Sequence, residues 1–335
     1  MKLVVNNFRS HQHYQVEFTA GMNIITGPNG SGKTTLLEAI YVALMGKSWR
    51  SNFDEMVRQP ADEFNWWRID LTRDEAVRTV KYQAGAKTFI INDRSYHRFP
   101  TSQRVPVLLF EPNDMQMLYG SPSRRRDFFD RAISVLDPVH QTEVNKFARV
   151  LRQRNSLLKQ DYCDPSELLV WDIQFSQLSA QISARRRRLV QLINQSIAAQ
   201  YQSIAGRSDT VELKFQAGAP ATVEHIMAEL RQSYDGVTTP VGAQKDDFEF
   251  RFNHKAAKLN ASRGENRTIL FALLAVIADV VRQHYPEAVI LLDDIDSELD
   301  AAHRANLYAI DIFQHNTIAT TLSYGGGDYH HIELS

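Results

Sequence analysis

The octapeptide Gly27-Pro28-Asn29-Gly30-Ser31-Gly32-Lys33-Thr34 constrains this chain more than any other feature, because it fits G-x-x-x-x-G-K-[ST] at every fixed position. It follows a strand-like stretch, Met22-Asn23-Ile24-Ile25-Thr26, and precedes LLEAIYVALMG, whose apolar residues recur at helical spacing. Strand, glycine turn and helix form the context in which such a loop binds phosphate. Glycines let successive backbone N–H groups converge on phosphate oxygens, and the helix N-terminus adds partial positive charge there. Gly27, Asn29, Gly30, Ser31, Gly32, Lys33, Thr34 and Thr35 are therefore candidate nucleotide contacts. Lys33 is expected to reach the β- and γ-phosphates, and Thr34 to place its hydroxyl on Mg²⁺.

A phosphate loop needs an acidic partner. Ala288-Val289-Ile290-Leu291-Leu292-Asp293-Asp294 is an apolar run ending in two carboxylates. Such a run suits a buried parallel strand, and ligands bind at the carboxyl ends of those strands. Asp293 is then the metal-side carboxylate and Asp294 the group that orients, or takes a proton from, the attacking water. Aspartate reaches less far than glutamate, so hydrolysis is expected to be slow. Upstream, Ser262 and Gly264 open an apolar helix, where N–H groups and dipole make a second anion site. A plain N-cap is the simpler account of that serine taken alone. The order of segments argues otherwise: phosphate loop, Ser-x-Gly before a helix, Leu-Leu-Asp-Asp, Ser297-Glu298-Leu299-Asp300, then Thr320-Thr321. That series is found in ABC-type ATPases. A GTPase would need an Asn-Lys-x-Asp base reader, and the sequence has none.

At 335 residues the chain has length for about two domains. Lys and Arg number 38 against 39 Asp and Glu, so any DNA surface must be a local patch. The single cysteine, Cys163, fits a reducing cytoplasm. No signal peptide is read at the start, and the longest apolar run, Ile269–Val281, has 13 residues against the roughly 20 a membrane span needs. A cytoplasmic protein without a membrane partner is expected. Short strands are predicted over KLVVNNF, YQVEF, MNIIT, RIDLTR, RTVKYQ, TFIIN and VPVLLF, and again over VELKF, FEFRF and TIATTL. Between Gly120 and about Ile204 the pattern is helical and basic, with thirteen Lys/Arg against eight Asp/Glu. The expected layout is an α/β head formed by 1–118 and 236–335, interrupted by a mainly helical lobe at 119–235.

Three further stretches carry a family resemblance. Asn7-Phe8-Arg9-Ser10-His11 resembles the opening that precedes the phosphate loop in RecF and SMC-type heads. Phe110-Glu111-Pro112-Asn113-Asp114, followed by Gly120-Ser121-Pro122-Ser123-Arg124-Arg125-Arg126-Asp127-Phe128-Phe129-Asp130, resembles a RecF-specific run. Gly242-Ala243-Gln244-Lys245-Asp246-Asp247 is similar to that family's G-P-H-R-D-D, with Ala, Gln and Lys at its centre, and Glu265 stands where the family usually has Gln. The chain thus resembles the RecF family of bacterial recombination mediators, relatives of SMC proteins, over nearly its whole length.

That resemblance implies an ABC/SMC-like P-loop ATPase head with a mixed sheet, and ATP and Mg²⁺ as its ligands. It places Arg9 and Asp300 among the nucleotide contacts. It puts Asp114 beside Thr34 and Asp293 at the metal, and Thr321 with Lys33, Asp293 and Asp294 in the catalytic set. Two heads would sandwich two ATP molecules, Ser262 and Gly264 of one copy capping the γ-phosphate on the other. Implied partners are double-stranded or gapped DNA and RecR, with RecO and RecA downstream. Thr34 and Ser262 are separated by 227 residues, too few for a long coiled-coil arm.

Arg124, Arg149, Arg152, Arg185 and Arg188 are the candidate DNA contacts. Four consecutive arginines, 185–188, point around most of a helix, so not all face one partner. Arg125, Arg126 and Asp130 are read instead as locking the lobe to the head through charge-assisted hydrogen bonds. Trp66 and Trp67 are read as sheet packing, and His330 and His331 as surface residues. A DNA-stimulated repair ATPase is weighed against a nucleotide-gated scaffold with negligible turnover and against a transporter-type ABC subunit; DNA-stimulated phosphate release separates the first two.

Overall fold

The computed structural model describes residues 1–59, 65–160, 162, 164–232, 238–294, 309–322, 326–327 and 329–335. They form two compact units, one made of Met1–Pro112 with Val281–Ser335 and the other of Asn113–Val280.

The first unit contains two sheets with a helix between them. Strands β1 (Lys2–Phe8), β2 (His11–Glu17) and β3 (Met22–Thr26) lead into the glycine turn and helix α1 (Lys33–Met45). Then come β4 (Trp66–Arg73), β5 (Ala76–Gln83), β6 (Ala86–Ile91), β7 (Arg94–Tyr96) and β8 (Val107–Phe110). An antiparallel sheet runs in the order β2-β1-β4-β5-β6-β7. β1 and β4 bury alternate residues (Leu3 and Val5; Trp67, Ile69 and Leu71), the period-2 pattern of a sheet with one face on the core. Trp67 is fully buried, packs edge-on to Phe8 and donates its indole N–H to the Phe53 carbonyl at 2.7 Å, which is the expected packing role.

The chain returns to this unit after residue 280, so the remaining elements are numbered through the second unit first. There β9 (Val211–Gln216), β10 (Asp247–Phe252) and β11 (Lys255–Ala256) form a small antiparallel sheet. Around it are α2 (Pro122–Leu136), α3 (Pro138–Leu158), α4 (Pro165–Asn194), α5 (Ile197–Ala205), α6 (Val223–Gln232), α7 (Ala257–Asn260) and the start of α8 (Arg263–His284). Three of these helices open with Pro at the first position behind Ser121, Asp137 or Asp164, and both aspartates accept a backbone N–H as N-caps. Phe147, Phe175, Ile182, Ile226 and Leu230 supply one buried cluster, and Phe129 stacks on Phe248 at 4.0 Å.

Back in the first unit, β12 (Val289–Leu292), β13 (Thr317–Thr321) and β14 (His330–Glu333) complete an all-parallel sheet in the order β14-β3-β13-β12-β8. β3, β12 and β13 are buried at every residue, as expected of central parallel strands. Because α1 packs on both sheets, it is apolar nearly all round: Leu36, Leu37, Ala39, Ile40, Val42, Ala43 and Leu44 are all fully buried.

The lobe expected at 119–235 differs from the compact unit at 113–280. β10, read as part of the head, pairs along its whole length with β9, from Asp247 opposite Gln216 to Phe252 opposite Val211. This pairing ties 247–252 to the helical unit. Among the described residues no helix is long and apolar enough to cross a membrane.

Candidate nucleotide site

The site is built where the parallel strands of the first unit end. β3 delivers the loop: Gly27 has φ 152° and a Cβ there would stand 2.5 Å from the Leu334 carbonyl oxygen, while Gly32 has φ 96° and its missing Cβ leaves room for the His11 ring. Only glycine fits both backbones. Lys33, nearly buried, turns its ammonium onto the loop's own carbonyls, Gly27 at 2.7 Å and Pro28 at 3.0 Å. Gly32 caps α1 without any side-chain hydrogen bond, and the first turn holds no acidic residue. The loop and helix start thus offer donors and positive dipole with no internal anion to satisfy them.

β12 and β13 deliver the acid. The Asp293 carboxylate accepts from the Thr34 hydroxyl at 2.9 Å and from the Thr320 hydroxyl at 2.8 Å, joining residues 259 positions apart. Its own N–H donates to the Phe110 carbonyl at the end of β8, at 2.9 Å. Burial pushes the Asp293 carboxyl above its usual range; the two threonine hydroxyls and the charges of Arg50 and Lys33 work against that rise. A buried carboxylate beside a P-loop threonine is the donor set that Mg²⁺ chemistry uses. Asp294 follows with a left-handed backbone, φ 46°, and donates its N–H to Thr320 Oγ1 at 2.9 Å. Ser31 Oγ is buried without a hydrogen-bond partner among the described residues. An orphaned hydroxyl in a loop of open N–H groups fits a phosphate ligand.

Thr321 is the threonine expected in the catalytic set, but its neighbour Thr320 makes the contact with Asp293. Neighbours on a strand face opposite ways; Thr320 meets Asp293, whereas Thr321 is buried in register with Thr26. Arg9 sits with a left-handed backbone, φ 52°, and its guanidinium bonds Glu38 at 2.5 and 2.8 Å. Thr35 is buried in α1. Asp300, with Ser297, Glu298 and Leu299, lies outside the described residues, as does Cys163. His330 and His331, read as surface residues, belong to β14: they bond Asn23 at 2.9 Å and Thr26 at 2.7 Å, and the strand they sit on braces β3.

The remaining candidates lie in the second unit. Asp114 pairs there with Arg131. Ser262 and Glu265 form a reciprocal capping box: the Glu265 carboxylate accepts from Ser262 N–H at 2.7 Å, and Ser262 Oγ accepts from Glu265 N–H at 3.2 Å. The serine hydroxyl keeps its own proton to donate, and a Cβ on Gly264 would meet nothing within 4 Å. The two RecF-like runs meet in one polar network. Arg125 grips Asp247 at 2.6 and 2.9 Å, Arg126 bonds the Asp246 carbonyl at 2.9 Å, and buried Arg186 bridges Asp130 and Asp246 at 2.7 and 2.8 Å. These residues were expected to lock the lobe to the head; instead every partner lies inside this one unit, because 242–247 belongs to it and not to the head.

Rotation around α4 sorts the four arginines. Arg185 pairs with Asp137 and Glu143, Arg186 is buried, Arg187 lies over the Phe215 ring, and Arg188 is exposed. Arg149 and Arg152 are exposed on α3, and Arg124, exposed, bonds Gln116.

Comparison with known proteins agrees with this architecture. A family model described as "AAA domain" matches residues 2–155. The DNA replication and repair protein RecF of Moorella thermoacetica is 31% identical over 97% of this chain and 90% of its own length. The chain belongs to the RecF family. The RecF of Heliobacterium modesticaldum is 30% identical over 90% of the chain and 86% of its own. A solved structure titled as the recombination mediator protein RecF with ATP, in the RecFOR pathway, aligns with a TM-score of 0.78 at 25% identity, covering 98% of this chain and 92% of that one. An Smc head bound to the C-winged helix domain of ScpA aligns at TM-score 0.55 and 16% identity over 97% of this chain and 89% of its own, a likeness of fold alone. The α/β, ABC/SMC-like ATPase head expected from the motifs is thus the fold of this RecF-family chain.

Proposed function

We propose that this chain is an ATP-dependent DNA-binding protein of replication and recombinational repair, in which ATP brings two copies together on DNA and slow hydrolysis lets them part. The observation that carries the reading is the pair of hydrogen bonds from Thr34 and Thr320 to Asp293, which gathers loop, acid and strand end at one corner. The open N–H groups of the loop bind the phosphates, with Lys33 released from the Gly27 and Pro28 carbonyls to face them. Thr34 and Asp293 hold Mg²⁺, which when bound neutralises charge developing on the phosphoryl oxygens. Asp294 orients water, with Thr320 fixing its backbone.

Ser262 and Gly264 of a second copy close over the γ-phosphate, donating a hydroxyl and an unobstructed N–H. ATP then acts as a ligand that favours the paired state, and its loss reverses the shift. Exposed Arg124, Arg149, Arg152 and Arg188 contact DNA phosphates. RecR is the direct protein partner, RecO and RecA acting downstream. The test is sedimentation with and without ATP, Mg²⁺ and duplex DNA for wild type, Lys33→Met and Gly264→Ala. Wild type should pair only with ATP, and both variants should stay single; Gly264→Ala does so without loss of fold, since its Cβ enters open space. A wild type that remains a monomer under all conditions overturns the reading.

A further inference from the structure

The two tryptophans that open β4 face opposite ways. Trp67 is fully buried, and its ring packs on Phe8 and Phe53 in the core that the sheet shares with α1. Side chains alternate along a strand, so Trp66 stands on the other face, half-buried, with exposed Arg68 two residues on. β5 runs alongside in register, Gln83 opposite Trp66 and Lys81 opposite Arg68. These four side chains form a square on the solvent face, with Cβ atoms roughly 5 Å apart across the strands. Together with Trp67 and Tyr82 they line an open pocket of about 400 Å³. That volume suits one small organic group.

The charges of the square are not there for the sheet. Like charges directly opposite each other weaken strand pairing, yet Arg68 faces Lys81. Arg68 is oriented by Asp70, which accepts from its Nε at 2.6 Å and from one terminal nitrogen at 2.7 Å, and Asp70 is itself fixed by the Thr79 hydroxyl at 2.6 Å. The other terminal nitrogen of Arg68 has no partner among the described residues, and Lys81 makes no hydrogen bond or ion pair among them. Two cations therefore meet one carboxylate beside an indole ring. The Trp66 backbone is tied down as well, its carbonyl accepting from Asn7 Nδ2 at 2.9 Å. A local conflict of this kind, held rigidly and kept in water, is the mark of a binding surface. Because α1 packs on the opposite face of the sheet, the pocket is separate from the nucleotide corner.

We propose that this pocket binds one unpaired nucleotide of single-stranded DNA, its base stacked on the Trp66 ring and its flanking phosphates bonded by Arg68 and Lys81. This rests on the DNA-binding reading and adds to it a contact that senses strandedness. An aromatic ring beside cations is the combination that holds single strands, since every base has a face to stack and every linkage a charge to neutralise. A duplex keeps its base faces inside its own stack, so it can use the cations and not the ring.

The test is fluorescence anisotropy of labelled oligo(dT) and of a labelled blunt duplex, with ATP and Mg²⁺, on wild type, Trp66→Ala, Trp66→Phe and Lys81→Gln. Trp66→Ala should weaken oligo(dT) about tenfold, the loss of one base stack, and the duplex by less than about twofold. Trp66→Phe keeps a ring and should stay within about threefold of wild type on oligo(dT), while losing the quenching of tryptophan fluorescence that oligo(dT) causes in wild type. It carries the test if Trp66→Ala does not fold. Lys81→Gln should lower the slope of log affinity against log salt by about 0.7 on oligo(dT). Equal losses on both DNAs, no loss on either, quenching that persists in Trp66→Phe, or a wild type that binds duplex and not oligo(dT) overturns the inference and leaves the DNA-binding reading intact. Failure of wild type to bind either DNA overturns that parent reading itself.

Discussion

Replacing Glu38 by Gln should destabilise this protein in a pH-dependent way whose size follows from the structure. The carboxyl is held at about 2 instead of 4.5. At 1.36 kcal/mol per pKa unit this corresponds to roughly 3 kcal/mol of folding stability at neutral pH, an order-of-magnitude figure. Burial opposes ionisation, and the Arg9, Arg50 and Ser48 contacts overcome it. The folded-state value lies below the unfolded one, so the contribution is complete above the unfolded value and disappears as pH falls through about 2. Glutamine keeps shape and two polar atoms but leaves both arginines without a counter-charge, which costs about 3–5 kcal/mol in buried pairs. Urea unfolding followed by tryptophan fluorescence is a suitable assay, since Trp49 and Trp67 both lie in this unit. Near pH 7 the variant should be less stable by about 3 kcal/mol, and the gap should close on acidification as the wild-type glutamate takes up its proton. A variant within about 0.5 kcal/mol of wild type at pH 7, or a gap indifferent to acid, would refute the reasoning.

Three other outcomes are expected. Asp293→Asn should leave folding stability at neutral pH unchanged or raised, because burial already disfavours the charged form of Asp293, and should abolish Mg²⁺-dependent nucleotide binding; parallel thermal unfolding and binding assays check both halves. The sign follows from the raised value: the aspartate's contribution is present at low pH and is lost as pH rises through it. Arg186→Ala strips the shared cation from buried Asp130 and Asp246 and should cost about 3–5 kcal/mol in urea unfolding, whereas Arg188→Ala on the same helix should cost under about 0.5 kcal/mol. In DNA-binding titrations against salt, Arg149→Ala and Arg152→Ala should each reduce the log–log slope by about one, and Arg185→Ala, already paired with Asp137 and Glu143, should change it little.

Much of the fold was legible because its signals are local. The phosphate loop, the unbroken apolar run before Asp293 and the alternating strands of the antiparallel sheet each follow from a few neighbouring residues. What escaped depends on register or on remote pairing. The family resemblance points to Thr321, and only the pairing of β13 with β12, Leu292 opposite Ala319, brings Thr320 beside Asp293 instead. The grip of Arg125 on Asp247 joins residues 122 positions apart, so each run looked like a separate motif. For the same reason β10 was read with the head, although it completes a sheet with β9. His331 sits on a strand recognisable only by its neighbour. Glu38 did carry a signal: a lone acid inside LLEAIYVALM, a segment too apolar to keep any face in water, must be met by cations from elsewhere in the chain. The family-specific GSPSRRRDFFD run, in turn, has a physical account, since its arginines and Asp130 close the polar network of the second unit.

The parallel sheet also sets a timetable for biosynthesis. Its strands are drawn from residues 22–26, 107–110, 289–292, 317–321 and 330–333, and β3, which carries the loop, pairs only with β13 and β14 from the far end of the chain. At about 5–20 residues per second, a ribosome that has finished Thr34 needs roughly 15–60 s to supply Thr320. During that interval the glycine loop and the apolar helix behind it have neither their acid nor half of their shelter. Until then the nascent chain lacks the Asp293 and Thr320 corner of its nucleotide site, and α1 lacks the parallel strands on one of its sides.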